Sequence, residues 1–103
     1  MIATRETRIV DASNDAKAAA YAFAQKDTAA GLHAVQKAHD TLVAVWDEGP
    51  RVDDVTILWD IRNNINRLQR VLDMTPTITF PAAAMDICDR AYGSLTRIAD
   101  RWV

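Results

Sequence analysis

Helix breakers are scarce in this chain and its prolines sit in two places, and nothing else constrains its fold as strongly. Of three glycines and three prolines in 103 residues, Gly49-Pro50 falls in EGPRVDD, while Pro76 and Pro81 bracket TPTITFP. Proline removes a backbone donor and clashes with the preceding turn, and glycine weakens a helix by about 1 kcal/mol relative to alanine. Long stretches without proline, rich in alanine and interrupted only by the isolated Gly31 and Gly93, predict helices separated at those two breaks. The expected fold is therefore all-α: a compact bundle of three main helices over about 12–48, 54–74 and 81–102, with a short N-terminal arm. No repeat, low-complexity tract or long linker divides the chain, so residues 1–103 are expected to form a single helical domain with one core.

The first segment is expected to start after Asp11 or Ser13, either of which can accept from the free amides of a first turn. Tyr21, Thr28, Val35 and Leu42 recur every seven residues, and Ala24, Gly31, Ala38 and Val45 stand three positions on. That pattern predicts a seam with small residues on one rail, on which another backbone can approach closely. Either one long helix or two shorter ones, with a break near Lys26 to Gly31, fits it. In the second segment Asp53 or Asp54 suits the N-cap, and Ile57, Leu58, Ile61, Ile65, Leu68 and Leu72 form the expected core face. The third begins at Thr79 or Phe80 with Pro81 in its first turn, and Ala84, Ile87, Cys88, Ala91, Leu95, Ile98 and Trp102 mark its apolar face. Residues 1 to 10 and TITF at 77 to 80 are rich in threonine and branched side chains, which suit a short strand pairing.

In the second segment one residue breaks the pattern. Trp59 projects roughly 150° from the centre of the apolar stripe. Steps of four, three and four residues lead from it to Asn63, Asn66 and Arg70, with Val55 and Arg62 beside this line. Three readings follow. The N-terminal arm or TITF could cover the indole, making it structural. The stripe could be a protein interface, with a second copy or another partner, because tryptophan and arginine dominate interface hot spots. Or Arg62, Asn63, Asn66 and Arg70 could read DNA, with asparagine on adenine edges and arginine on guanine or phosphate. The stretch from Trp59 to Arg70 carries one acid and three arginines, a thin basic footprint in a chain of net charge −2 and pI 5.5.

Sites for chemistry are hard to build from this sequence. His33 and His39 are six residues apart and project about 120° from each other on a helix, so they do not chelate as an i, i+4 pair would. Asp86 and Asp89 share a face, but Arg90 is spaced to pair with Asp86. Cys88 lies on an apolar face beside two acids, which raises a thiol pKa. Ser13 and Ser94 lack a nucleophile elbow, and the isolated glycines form no phosphate loop. No catalytic, cofactor or metal site is therefore expected, and a helical enzyme pairing His39 with a carboxylate ranks third among the functions considered. With one cysteine, no internal disulfide can form, and with no signal-like or membrane-spanning run, a cytoplasmic setting without membrane contact is expected.

The stretch VWDEGP is similar to the tryptophan-to-glycine turn of the WXG family of small helical secreted proteins, which also have an alanine-rich first helix. Two residues rather than one separate Trp46 from Gly49, TPTITFP breaks what would be one long helix, and Thr96 rather than an acid stands four positions after Tyr92. No family is assigned on that turn. The expected function is that of a small, non-catalytic helical interaction or regulatory domain, self-associating through Trp59, Arg62, Asn63, Asn66 and Arg70, with a DNA-binding regulator as the alternative.

Overall fold

The computed structural model describes residues 5–52, 54–74 and 77–102, the side chains of Arg5 and Glu6 excepted. Four helices run through them: α1 Arg5–Ala24, α2 Thr28–Asp47, α3 Val55–Asp73 and α4 Phe80–Arg101. At 1.5 Å per residue each is about 30 Å long, within a body whose longest extent is 43 Å. α1 packs most extensively, against α2 and α4, while α3 closes the ring by packing on the same two helices from the other side. The order around the core follows the chain, with α1 diagonally opposite α3. The described residues are thus all-α, as expected, but form one helix more than the three expected.

The extra helix comes from a break at residues 25 to 27, within the expected first segment. Lys26 takes a left-handed conformation at φ 61°. Its amide donates to Phe23 O at 2.9 Å, and that of Asp27 to Ala22 O at 2.9 Å, the paired bonds of a Schellman turn. Asp27 then caps α2, its Oδ1 accepting from the Ala30 amide at 3.2 Å. The long-helix alternative is therefore overturned and the split version holds, with the break at the Lys26 end of the expected range and Gly31 inside α2. There a Cβ would come within 2.5 Å of the Phe23 ring, so the glycine lets α1 and α2 approach through that ring.

This turn resets the helical phase, which corrects the continuous seam. Gly31, Val35, Ala38, Leu42 and Val45 are buried along α2, but Tyr21 and Ala24 are exposed. α1 instead buries Ile9, Ala12, Ala16, Ala19, Ala20 and Phe23, at the three-and-four spacing of a different face. The expected arm is also corrected, since α1 begins by Arg5 and both cap candidates, Asp11 and Ser13, lie inside it. Ile9 extends the buried face by another turn. Arg8 donates to Glu48 Oε1 and Oε2 at 2.7 and 2.6 Å, fastening the start of α1 to the end of α2. These contacts override the strand preference of the branched residues. The expected strand pairing is absent among the described residues, and residues 1 to 4 lie outside them.

The remaining two helices lie close to their expected bounds. Asp54 caps α3: its Oδ1 accepts from the Thr56 amide at 2.9 Å and from Thr56 Oγ1 at 2.6 Å. Those bonds, and Arg101 nearby, hold its carboxyl below the ordinary value. Pro81 sits in the first turn of α4, after Thr79. On α4 the expected face is buried, except that Ile87 and Trp102 are half-covered. Phe80 meets Phe23 edge to face, centroids 5.5 Å apart, closing one end of the core.

On α3 the buried set is Ile57, Ile61, Asn64, Leu68 and Val71, while Leu58, Ile65 and Leu72 are only half-covered. The helix is thus rolled toward α4, which brings an asparagine into the core. Asn64 is fully satisfied there: Nδ2 donates to Asp60 O and Ser94 Oγ, both at 2.9 Å, and Oδ1 accepts from Arg67 Nη1 at 2.8 Å.

Candidate interaction surface

Rolling α3 onto α4 fixes which of its residues face outward. Val55, Trp59, Arg62, Asn63, Asn66 and Arg70 are all exposed, on the side opposite Ile61 and Leu68. Trp59 is 67% exposed and Val55 61%. Of the covering segments considered for the indole, the described part of the arm lies in α1, diagonally across the bundle, and residues 77 to 80 follow the far end of α3, about 21 Å along the helix from Trp59. Among the described residues, neither α1 nor residues 77 to 80 covers Trp59; residues 1 to 4 of the expected arm lie outside them.

The polar groups of α3 differ by side. Those toward α4 are engaged, Asn64 and Arg67 with each other and Asp60 with Arg101 Nη2 at 2.6 Å. Arg101 Nη1 also donates to Thr56 Oγ1 at 3.1 Å, so the C-terminal turn of α4 holds the first turn of α3. On the outer side, Asn63, Asn66 and Arg70 have no side-chain hydrogen bond or ion pair among the described residues. Asp73, the acid nearest Arg70 in sequence, accepts from Gln69 Nε2 at 2.9 Å. This face therefore presents an indole, two amides and positive charge, with bonding capacity unspent within the chain.

Arg62 is placed differently from the other members of the expected site. Its guanidinium lies over the ring of Trp46, 5.5 Å from the centroid, in a cation–π contact between α3 and α2. Trp46, Gly49, Pro50 and Leu58 line an open groove of about 320 Å³ beside it. Sequence reasoning used Trp46 only as part of a turn and missed it here. Antiparallel helices joined at residues 48 to 54 must bring position 46 alongside positions 58 to 62, and that geometry was the available signal.

The candidates for chemistry remain apart. His33 is exposed, and His39 is half-buried with Nδ1 3.5 Å from Asp40 Oδ1. Asp86 pairs with Arg90 at 3.3 Å. Ser13 Oγ shares a 3.0 Å hydrogen bond with Thr96 Oγ1, and Ser94 Oγ is taken by Asn64. Cys88 is wholly buried; burial, and secondarily Asp89, push its thiol up to about 12, far from a nucleophile at neutral pH. Among the described residues no three His, Cys, Asp or Glu side chains are grouped to hold a metal ion, and no helix is long and apolar enough to cross a membrane. No protein-family model, no curated protein and no solved structure matches this chain.

Proposed function

We propose that this chain is a non-catalytic interaction domain that self-associates through the outer face of α3. The observation that carries the reading is the 67% exposure of Trp59 on a helix whose inner face is fully packed. Covering an indole left this open removes on the order of 100 Å² of apolar surface per copy, worth about 2–3 kcal/mol at 25 cal/mol per Å². Val55 adds to that area, and Asn63, Asn66 and Arg70 supply donors and acceptors at its edge. Hot spots favour such a combination of a rigid aromatic anchor with arginine. The single buried thiol suits a reducing cytoplasm.

Mass in solution tests the reading. Light scattering on a sizing column, across a concentration range, should show the 11.4 kDa chain approaching twice its mass. Trp59→Ala should keep the helical circular dichroism of the parent and stay at single-chain mass. A parent that is monomeric throughout, or a Trp59→Ala variant that associates equally well, overturns self-association through this face.

DNA binding by Arg62, Asn63, Asn66 and Arg70 is the second reading, favoured by the clear outward exposure of all four on one helix. Its support is narrower because Arg62 already lies on Trp46, leaving Arg70 as the free arginine of the stripe. It requires salt-sensitive retention on duplex DNA that Arg70→Glu abolishes; absence of retention at low salt removes it.

A further inference from the structure

We propose that two copies meet through antiparallel α3 helices about a two-fold axis, with Trp59 of each lying on the partner's Arg70. This rests on the self-association reading and adds to it the occupant's orientation and register.

The argument starts from spacing. The exposed stripe Trp59, Asn63, Asn66, Arg70 advances by four, three and four residues, a sequence of steps that is the same read from either end. In a two-fold antiparallel pair, residue i of one copy meets residue j of the other and j meets i. With the axis midway along the stripe, Trp59 falls on the partner's Arg70 and Asn63 on the partner's Asn66, each contact occurring twice. Both are chemically matched: a guanidinium over an indole face, and an amide whose donor and acceptor are each met by another amide. None of Asn63, Asn66 and Arg70 has a competing side-chain partner among the described residues. The chain already makes the same arginine-on-tryptophan contact internally, between Arg62 and Trp46.

The parallel alternative is chemically poorer. It sets Arg70 on the partner's Arg70, with the one neighbouring acid of this face, Asp73, already bonded to Gln69, and it places the helix dipoles side by side in the same sense. The area is adequate: a standard interface covers roughly 800 Å² per partner, about an eighth of the 6226 Å² exposed here. α3 is about 28 Å long and lies on a body 21–27 Å wide, so its outer face with the Trp46 and Leu58 flank spans such a patch.

Cysteine cross-linking under mild oxidation reads the register, with buried Cys88 left in place. About this axis, two copies of position 66 are offset by about 5 Å along the helices and two copies of position 55 by about 28 Å. Asn66→Cys should therefore form a covalent dimer and Val55→Cys should not. An exchange of the two anchors gives an independent readout. Trp59→Arg alone should weaken association at least tenfold, and adding Arg70→Trp should restore it to within a few-fold of the parent. Cross-linking of both cysteine variants, or failure of the exchanged pair to recover, overturns the antiparallel register while a dimer sensitive to Trp59→Ala leaves the self-association reading standing. A parent that is monomeric at every concentration overturns both.

Discussion

Gly31→Ala separates helix propensity from packing, because the two act in opposite directions at this residue. Alanine is about 1 kcal/mol better than glycine inside a helix, and Gly31 has ordinary helical backbone geometry, so propensity alone predicts a stabilised protein. Its added methyl, however, would stand 2.5, 2.6 and 2.7 Å from Cε1, Cζ and Cδ1 of Phe23. Ordinary contact begins near 3.5 Å, so the ring would have to retreat by about 1 Å. It has little room to do so, being 1% exposed and set edge-on against Phe80 at 5.5 Å. Overpacking a filled core costs about 1–3 kcal/mol, and contact with three ring atoms places this site in the upper half of that range. The net expectation is a loss of about 1–2 kcal/mol, read from urea unfolding at constant m-value or as a melting point lowered by roughly 5–10 °C. Phe23→Leu is the companion: its cost and that of Gly31→Ala should add to clearly more than the cost of the double variant. A Gly31→Ala protein more stable than the parent would refute the close α1–α2 approach through this ring.

Lys26→Gly should stabilise the fold by about 1 kcal/mol in a thermal melt, since glycine adopts the left-handed turn conformation without the side-chain penalty that lysine bears. Asn64→Ala should cost about 2 kcal/mol in urea, because Arg67 and Ser94 lose their shared partner in the α3–α4 interface. Cys88 should resist a thiol reagent at pH 8 until the protein is unfolded. As its thiol titrates near 12 when folded and near 9.0 when exposed, its contribution is complete below pH 9 and is lost as pH rises toward 12. Cys88→Ala should accordingly flatten the alkaline fall in the urea midpoint.

α3 and α4 were legible because proline, glycine and an aspartate cap bound them and their apolar residues keep one phase. Trp59 was legible for the same reason, since a residue far out of phase on a strongly patterned helix must face away from the core. The break at Lys26 was legible only as the alternative to one long helix. A Schellman turn announces itself by glycine or asparagine at the left-handed position, and here lysine occupies it. Alanine also blurs phase, because it is tolerated both inside and outside, so a seven-residue pattern ran through a turn that in fact rotates it. The roll of α3 that buries Asn64 and half-exposes Leu58 depends on Ser94, 30 residues away. Arg62 on Trp46 depends likewise on two helices meeting, and neither helix alone contains that information.

The joining of α1 to α4 has a consequence for how the chain is made. The interface that holds the beginning of the fold is completed by its last helix, with Ser13 bonded to Thr96 across 83 residues. During synthesis α1 emerges first and can pair early with α2, but its other face must wait until α4 has left the ribosome. The buried residues of α1 are mostly alanine, Ala12, Ala16, Ala19 and Ala20, side chains small enough to offer a chaperone or a neighbouring nascent chain little to grip. An alanine-lined seam thus serves a closure between helices far apart in sequence as well as a close one: it is dense packing once shut and poor adhesive while open.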